Sequence, residues 1–141
     1  MLTEIQTKLL EAGAELARPD GDEPRGRTVQ EKDVRSLEAA IDRLQSVLPP
    51  LTNFVLPGGA PAACRAHIAR SVCRRAERSV VRLLHAEPGK TDVLRYLNRL
   101  SDLLFVLSQW ANHRAGGSET TWAGRQPTRD IGNPGEPDQA P

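Results

Sequence analysis

From Ala62 onward, apolar side chains recur at Ala62, Ala66, Ala69, Cys73, Ala76, Val80 and Leu83, stepping alternately by four and three. That period predicts a helix over about 61–86 with one coiled-coil-like seam. Small residues fill the first half of the seam, so a neighbouring helix could approach closely there. Pro88 and Gly89 break the pattern, and Thr91 or Asp92 can cap a further helix. In it Val93, Leu97, Leu100, Leu104, Leu107 and Ala111 repeat the same step, and Gly116 and Gly117 end it.

The same period appears upstream. Leu2, Ile5, Leu9, Ala12 and Leu16 mark a helix over 1–17 that is already running at Met1, with no capping residue. Residues 18–32, RPDGDEPRGRTVQEK, combine turn formers with charges and predict a flexible loop. Asp33 is expected to cap a helix with the face Leu37, Ala40, Ile41, Leu44 and Leu48, stopped by Pro49 and Pro50. The segment LTNFVLPGG at 51–59 is apolar, but no partner strand is evident in the chain, so a loop packed on the helices is expected. Residues 118–141 hold four prolines and three glycines with little apolar content, the composition of a disordered tail. The expected architecture is all-α, an antiparallel bundle of four helices forming one domain over 1–117.

Composition narrows the function classes. A length of 141 residues suits one domain with a modest core. The net charge of +1 gives no argument for a nucleic-acid partner or an anionic membrane surface. No run approaches the roughly 20 apolar residues of a membrane span, and no signal peptide precedes the first helix, so a cytoplasmic protein is the default expectation. Lys8, Lys32 and Lys90 are the only lysines among 19 basic residues. Arginine favours bidentate phosphate contacts, although a GC-rich genome produces the same bias. Cys64 and Cys73 would lie about 13 Å apart on one helix, too far for a disulfide. They read as two buried small hydrophobes, and no metal site is expected.

Arg70, Arg74 and Glu77 each follow a seam position by one residue, as Asn98 follows Leu97. One residue is about 100° of rotation, so these groups are expected to flank the core. Guanidinium forks at i and i+4 suit a polyphosphate, with Glu77 and the Asn98 amide to orient them. A solvated face with intrahelical ion pairs accounts for the same spacing. A nucleic-acid patch is disfavoured, because Arg65, Arg70, Arg74, Arg75, Arg78 and Arg82 spread around the helix without interleaved aromatics. Phe54 and Phe105 are the only phenylalanines, and core packing explains either one. His67, His85 and His113 accompany no carboxylate pair or Ser/His/Asp order, so exposed or helix-terminal positions are expected and no catalytic side chain emerges.

Taken together, FVLPGG, RSVCRRAER (70–78) and YLNRLSD (96–102) resemble the signature of the propanediol-utilisation type of ATP:cob(I)alamin adenosyltransferase. EIQTKLLEAGAELA is similar to that family's second helix, and the resemblance covers about residues 2–115. It implies a homotrimer of five-helix bundles with active sites between subunits. The implied reaction moves the 5′-deoxyadenosyl group of ATP, with Mg²⁺, onto reduced cobalamin and releases triphosphate. By the same resemblance Arg74, Asn98 and Glu77 belong to the ATP site, and Arg70 pairs across the subunit interface with an aspartate. Phe54 lies under the corrin and Phe105 forms another wall of its pocket. Cob(I)alamin is itself the nucleophile, so no protein nucleophile or base is implied.

The family's glycine-rich phosphate loop, resembling TRTGDKGTTSL, and its first helix have no match within these 141 residues. Two expectations follow. Either the chain is a remnant of the enzyme with weakened ATP binding and slow turnover, or it is a non-catalytic helical binding or subunit-docking module of the same family.

Overall fold

The computed structural model of the chain describes residues 1–19, 26, 28–86 and 91–122. Four helices run in chain order: α1 Leu2–Leu16, α2 Glu31–Gln45, α3 Pro61–Ala86 and α4 Thr91–Arg114. The all-α expectation holds. Parts of the expected 18–32 loop, the Pro88–Gly89 break and residues 123–141 of the expected tail lie outside the described residues.

Helix α4 is the centre of the bundle, packed on α3 along one side and on α2 along another. Contacts along α3 and α4 run in opposite directions, from Ala60 against Asn112 to Glu77 against Asn98. Contacts along α2 and α4 run together, from Glu31 against Arg95 to Glu38 against Arg99. Buried positions surround α4: Val93, Tyr96, Leu97, Leu100, Leu103 and Val106 are core, yet Ser101 and Ser108 are buried too. Their hydroxyls donate to the carbonyls of Asn98 and Phe105 three residues back, so neither leaves an unmet donor. The burial of Tyr96 pushes its phenol up to about 12.

Helix α2 buries the predicted face through Leu37, Ala40 and Ile41, with Leu44 and Leu48 packed against the core. It starts earlier than expected. Gln30 is the N-cap, and the Asp33 carboxylate accepts the Gln30 N–H at 2.9 Å from the third helical position, as in a capping box. Helix α1 contributes Ile5 and Ala12 to the core but leaves Leu2, Leu9 and Leu10 exposed.

Two expectations are corrected. The α3 seam keeps Cys73 and Val80 buried as expected but elsewhere is turned by one residue: Ala63, His67 and Glu77 are buried, whereas Ala62, Ala69 and Ala76 are exposed. Choosing the most apolar residues as the seam misplaced the helix, because two polar side chains occupy its inner face. Cys73 is buried as expected, with its thiol donating to the Leu97 carbonyl at 3.3 Å and pushed up to about 11 by burial. The second correction concerns LTNFVLPGG, which does find a partner. Val55 pairs antiparallel with Thr121, through Leu56 N–H to Thr120 O and Trp122 N–H to Phe54 O, each 2.8 Å. Residues 118–122, the start of the expected tail, therefore return to this loop.

Candidate functional site

The α3–α4 contact carries most of the residues singled out by the sequence. Midway along it, Glu77 is nearly buried, and its two carboxylate oxygens are used separately. Arg74 Nη1 donates to Oε2 at 2.5 Å, and Asn98 Nδ2 donates to Oε1 at 2.9 Å. One acid thus orients a guanidinium from its own helix and an amide from the next. Arg74 remains half exposed, and its other N–H groups make no hydrogen bond among the described residues, so they can meet a ligand while its direction is fixed.

One helical turn toward the α3 N-terminus, Arg70 lies over the Phe105 ring with its guanidinium carbon 4.8 Å from the centroid. Its Nε is buried with no hydrogen-bond partner among the described residues. The His67 ring also packs on Phe105, with the two centroids 6.4 Å apart. His67 was expected at the surface, but it is 6% exposed and its Nε2 also lacks a partner. Burial holds its pKa below the usual value, Glu119 opposes that shift and Arg70 reinforces it. A neutral imidazole propping an aromatic ring is the result.

At the α3 N-terminus stands the FVLPGG loop, held by Asn112, which sequence reading did not single out. Its amide oxygen accepts the Ala60 N–H at 2.8 Å. Its amide nitrogen donates to Gly58 O at 3.2 Å and reaches Glu119 Oε1 at 3.1 Å. Gly59 passes so close, at φ +101°, that a Cβ there would fall 2.1 Å from the Asn112 amide oxygen. The only hint in the sequence was the glycine pair, which marks close backbone approach without naming what approaches.

Phe54 caps this end. It is largely exposed and meets Trp122 edge-on, with centroids 6.3 Å apart. Among the described residues no ring contact or hydrogen bond joins it to the Arg74–Glu77–Asn98 group. Arg70 and Phe105 sit between them. The seam thus offers cationic and amide donors in its middle and aromatic surface at one end. It suits an extended ligand with an anionic part and a flat apolar part. Among the described residues no cluster of three or more His, Cys, Asp or Glu side chains could hold a metal, and no helix is long and apolar enough to cross a membrane.

An all-helical bundle with a polar-to-aromatic seam between α3 and α4 is the class of protein that the fold and the site define. Residues 1–111 match the family model described as cobalamin adenosyltransferase, and the chain belongs to that family. It is 43% identical over 131 residues to the corrinoid adenosyltransferase of Mycobacterium leprae, covering 86% of this chain and 66% of that protein. It is likewise 43% identical to the cobalamin adenosyltransferase of Cupriavidus metallidurans, covering 86% of this chain and 63% of that protein. The chain therefore spans less than two thirds of the length of these relatives. A variant of the PduO-type ATP:corrinoid adenosyltransferase from Lactobacillus reuteri, complexed with cobalamin and ATP, superposes with a TM-score of 0.82 at 37% identity. That match covers 86% of this chain and 68% of the other.

Proposed function

We propose that the chain is a corrinoid adenosyltransferase working on ATP and cob(I)alamin. The reduced cobalt attacks the 5′ carbon of ATP and forms the cobalt–carbon bond. The C5′–O bond breaks, and its electron pair leaves with triphosphate. Cobalt passes formally from the +1 to the +3 state, so no other redox partner is needed.

The single observation that carries this reading is the divided use of Glu77. By holding Arg74 and Asn98 on separate oxygens, it presents two oriented donors where negative charge grows on the leaving triphosphate. Arg70, against Phe105, continues the cationic line toward the aromatic end, and the resemblance assigns it a pairing across a subunit contact. Phe105 and Phe54 supply apolar surface for the corrin, so cobalt is screened from water on its lower face. Mg²⁺ enters with the substrate as MgATP, since both Glu77 oxygens are engaged by protein donors. The working form is a cytoplasmic homotrimer. Exposed Ile68 and Val72 on α3 support burial of that face against another copy.

Incubation with ATP, Mg²⁺ and chemically reduced cobalamin should convert the corrin spectrum to that of the alkylated form, with triphosphate released in equal amount. Binding of both substrates by calorimetry without any alkylcobalamin would overturn the proposal.

A further inference from the structure

Phe54 is 79% exposed and Trp122 is 52% exposed, among the largest apolar side chains left in solvent. A frayed loop would explain such exposure, but these rings are held. Because Val55 faces Thr121 in the antiparallel bridge, Phe54 and Trp122 are directly opposite and project on the same side. Two backbone hydrogen bonds of 2.8 Å fix the crossing. Both strands are then tied to α4 through one side chain, since Asn112 bonds Gly58 and Ala60 on one strand's side and Glu119 on the other's. The interplanar angle of 62° leaves the rings as two walls of an open corner. A fixed, solvent-exposed aromatic corner is surface prepared for a flat apolar ligand.

We infer that Trp122 is a second aromatic wall for the corrin ring, set at an angle to Phe54 by the 118–122 return. The inference rests on the reading of cobalamin as substrate and adds a binding residue from the C-terminal return. Among the described residues no hydrogen bond or ring contact joins Trp122 to the Arg74–Glu77–Asn98 group, so the inference gives it no part in ATP recognition.

The test uses the full chain with hydroxocobalamin as probe. In a Trp110→Phe background Trp122 is the sole tryptophan, and hydroxocobalamin, but not ATP, should quench its emission. In the otherwise native chain Trp122→Ala should raise KM for cobalamin about tenfold and leave KM for ATP unchanged, and Trp122→Phe should restore most of the loss. An unchanged cobalamin KM in Trp122→Ala, while the parent binds hydroxocobalamin by calorimetry, would overturn the inference alone. Failure of the parent itself to bind hydroxocobalamin would remove the corrin reading, and this inference with it. A changed oligomeric state of Trp122→Ala in light scattering would assign the corner to a second copy of the chain and also overturn the inference.

Discussion

Two regions of this bundle bury polar side chains and do so differently. Where α1 meets α2, the charges close on one another. The Lys8 ammonium lies 2.5 Å from Glu11 Oε2, a buried atom whose one partner among the described residues is this ion pair, and 3.1 Å from Asp33, and buried Glu15 accepts the Val29 N–H at 3.0 Å. Burial alone would lower the Lys8 pKa, but its two carboxylate partners hold it above the ordinary value. Along the α3–α4 seam the accounts stay open. Arg74 and Asn98 share one acid, and buried nitrogens of His67 and Arg70 have no protein partner among the described residues. A buried polar group that is fully satisfied locally holds a fold together. One held in place with donors to spare is a candidate site, because burying it unmatched is costly unless a ligand completes it.

The strongest way to break this contrast is Glu77→Gln. It keeps the shape but removes the charge that orients Arg74 and accepts from Asn98. Turnover should fall by at least about 100-fold and stability by roughly 1–3 kcal/mol, read from steady-state kinetics and urea unfolding. Equal losses from neutralising Glu11 would erase the distinction between the regions. Gly59→Ala should come next. The left-handed φ and the clash with Asn112 should cost about 1–3 kcal/mol and loosen the Phe54 loop. Cobalamin KM should then rise while ATP KM holds, and a parallel rise in both would show that the loop and the arginine group are not separable.

His67 sharpens the comparison through pH. Its folded pKa lies below the ordinary value, so as pH falls below about 6.5 the unfolded chain takes up a proton that the folded chain resists. Stability should therefore decline on acidification through that range, and His67→Leu should flatten that part of the profile. Identical profiles for parent and variant would remove the buried neutral imidazole. The smallest effect belongs to the exposed α2–α4 pair of Arg95 with Glu31. Arg95→Ala should leave the unfolding midpoint and turnover unchanged within error.

Periodicity made the four helices legible, and it was most accurate where side-chain chemistry and position agree. On α2 the apolar stripe Leu37, Ala40 and Ile41 is the buried face. On α3 they disagree. Hydropathy assigns Ala69 and Ala76 inward, His67 to the surface and Glu77 to the flank of the core, whereas the helix turns the polar pair toward α4 because Asn98 and Phe105 await them there. Arg74, Glu77 and Asn98, singled out together in the sequence, do meet in the fold, since i+3 spacing and matching positions on two helices survive a one-residue rotation. The Asn112 network could not be read. It joins residues 52 and 54 positions apart, and nothing local in Ala-Asn-His announces a loop clamp. The Val55–Thr121 pairing was hidden for a related reason: Ser-Glu-Thr-Thr-Trp is too short and polar to signal a strand.

The enclosure of α4 means that the molecule does not open evenly. Amide protons along Leu97–Val106 are shielded by packing on several sides and should exchange with solvent only when the whole bundle unfolds. α1 is at the other extreme, with Leu2 at 62% and Leu10 at 77% exposure and few inward anchors beyond Ile5 and Ala12. It can detach and re-dock in local excursions that leave α3 and α4 together. The Arg74–Glu77–Asn98 part of the seam is thus carried by the helices expected to exchange most slowly among the described residues, and its geometry should persist while the first helix opens.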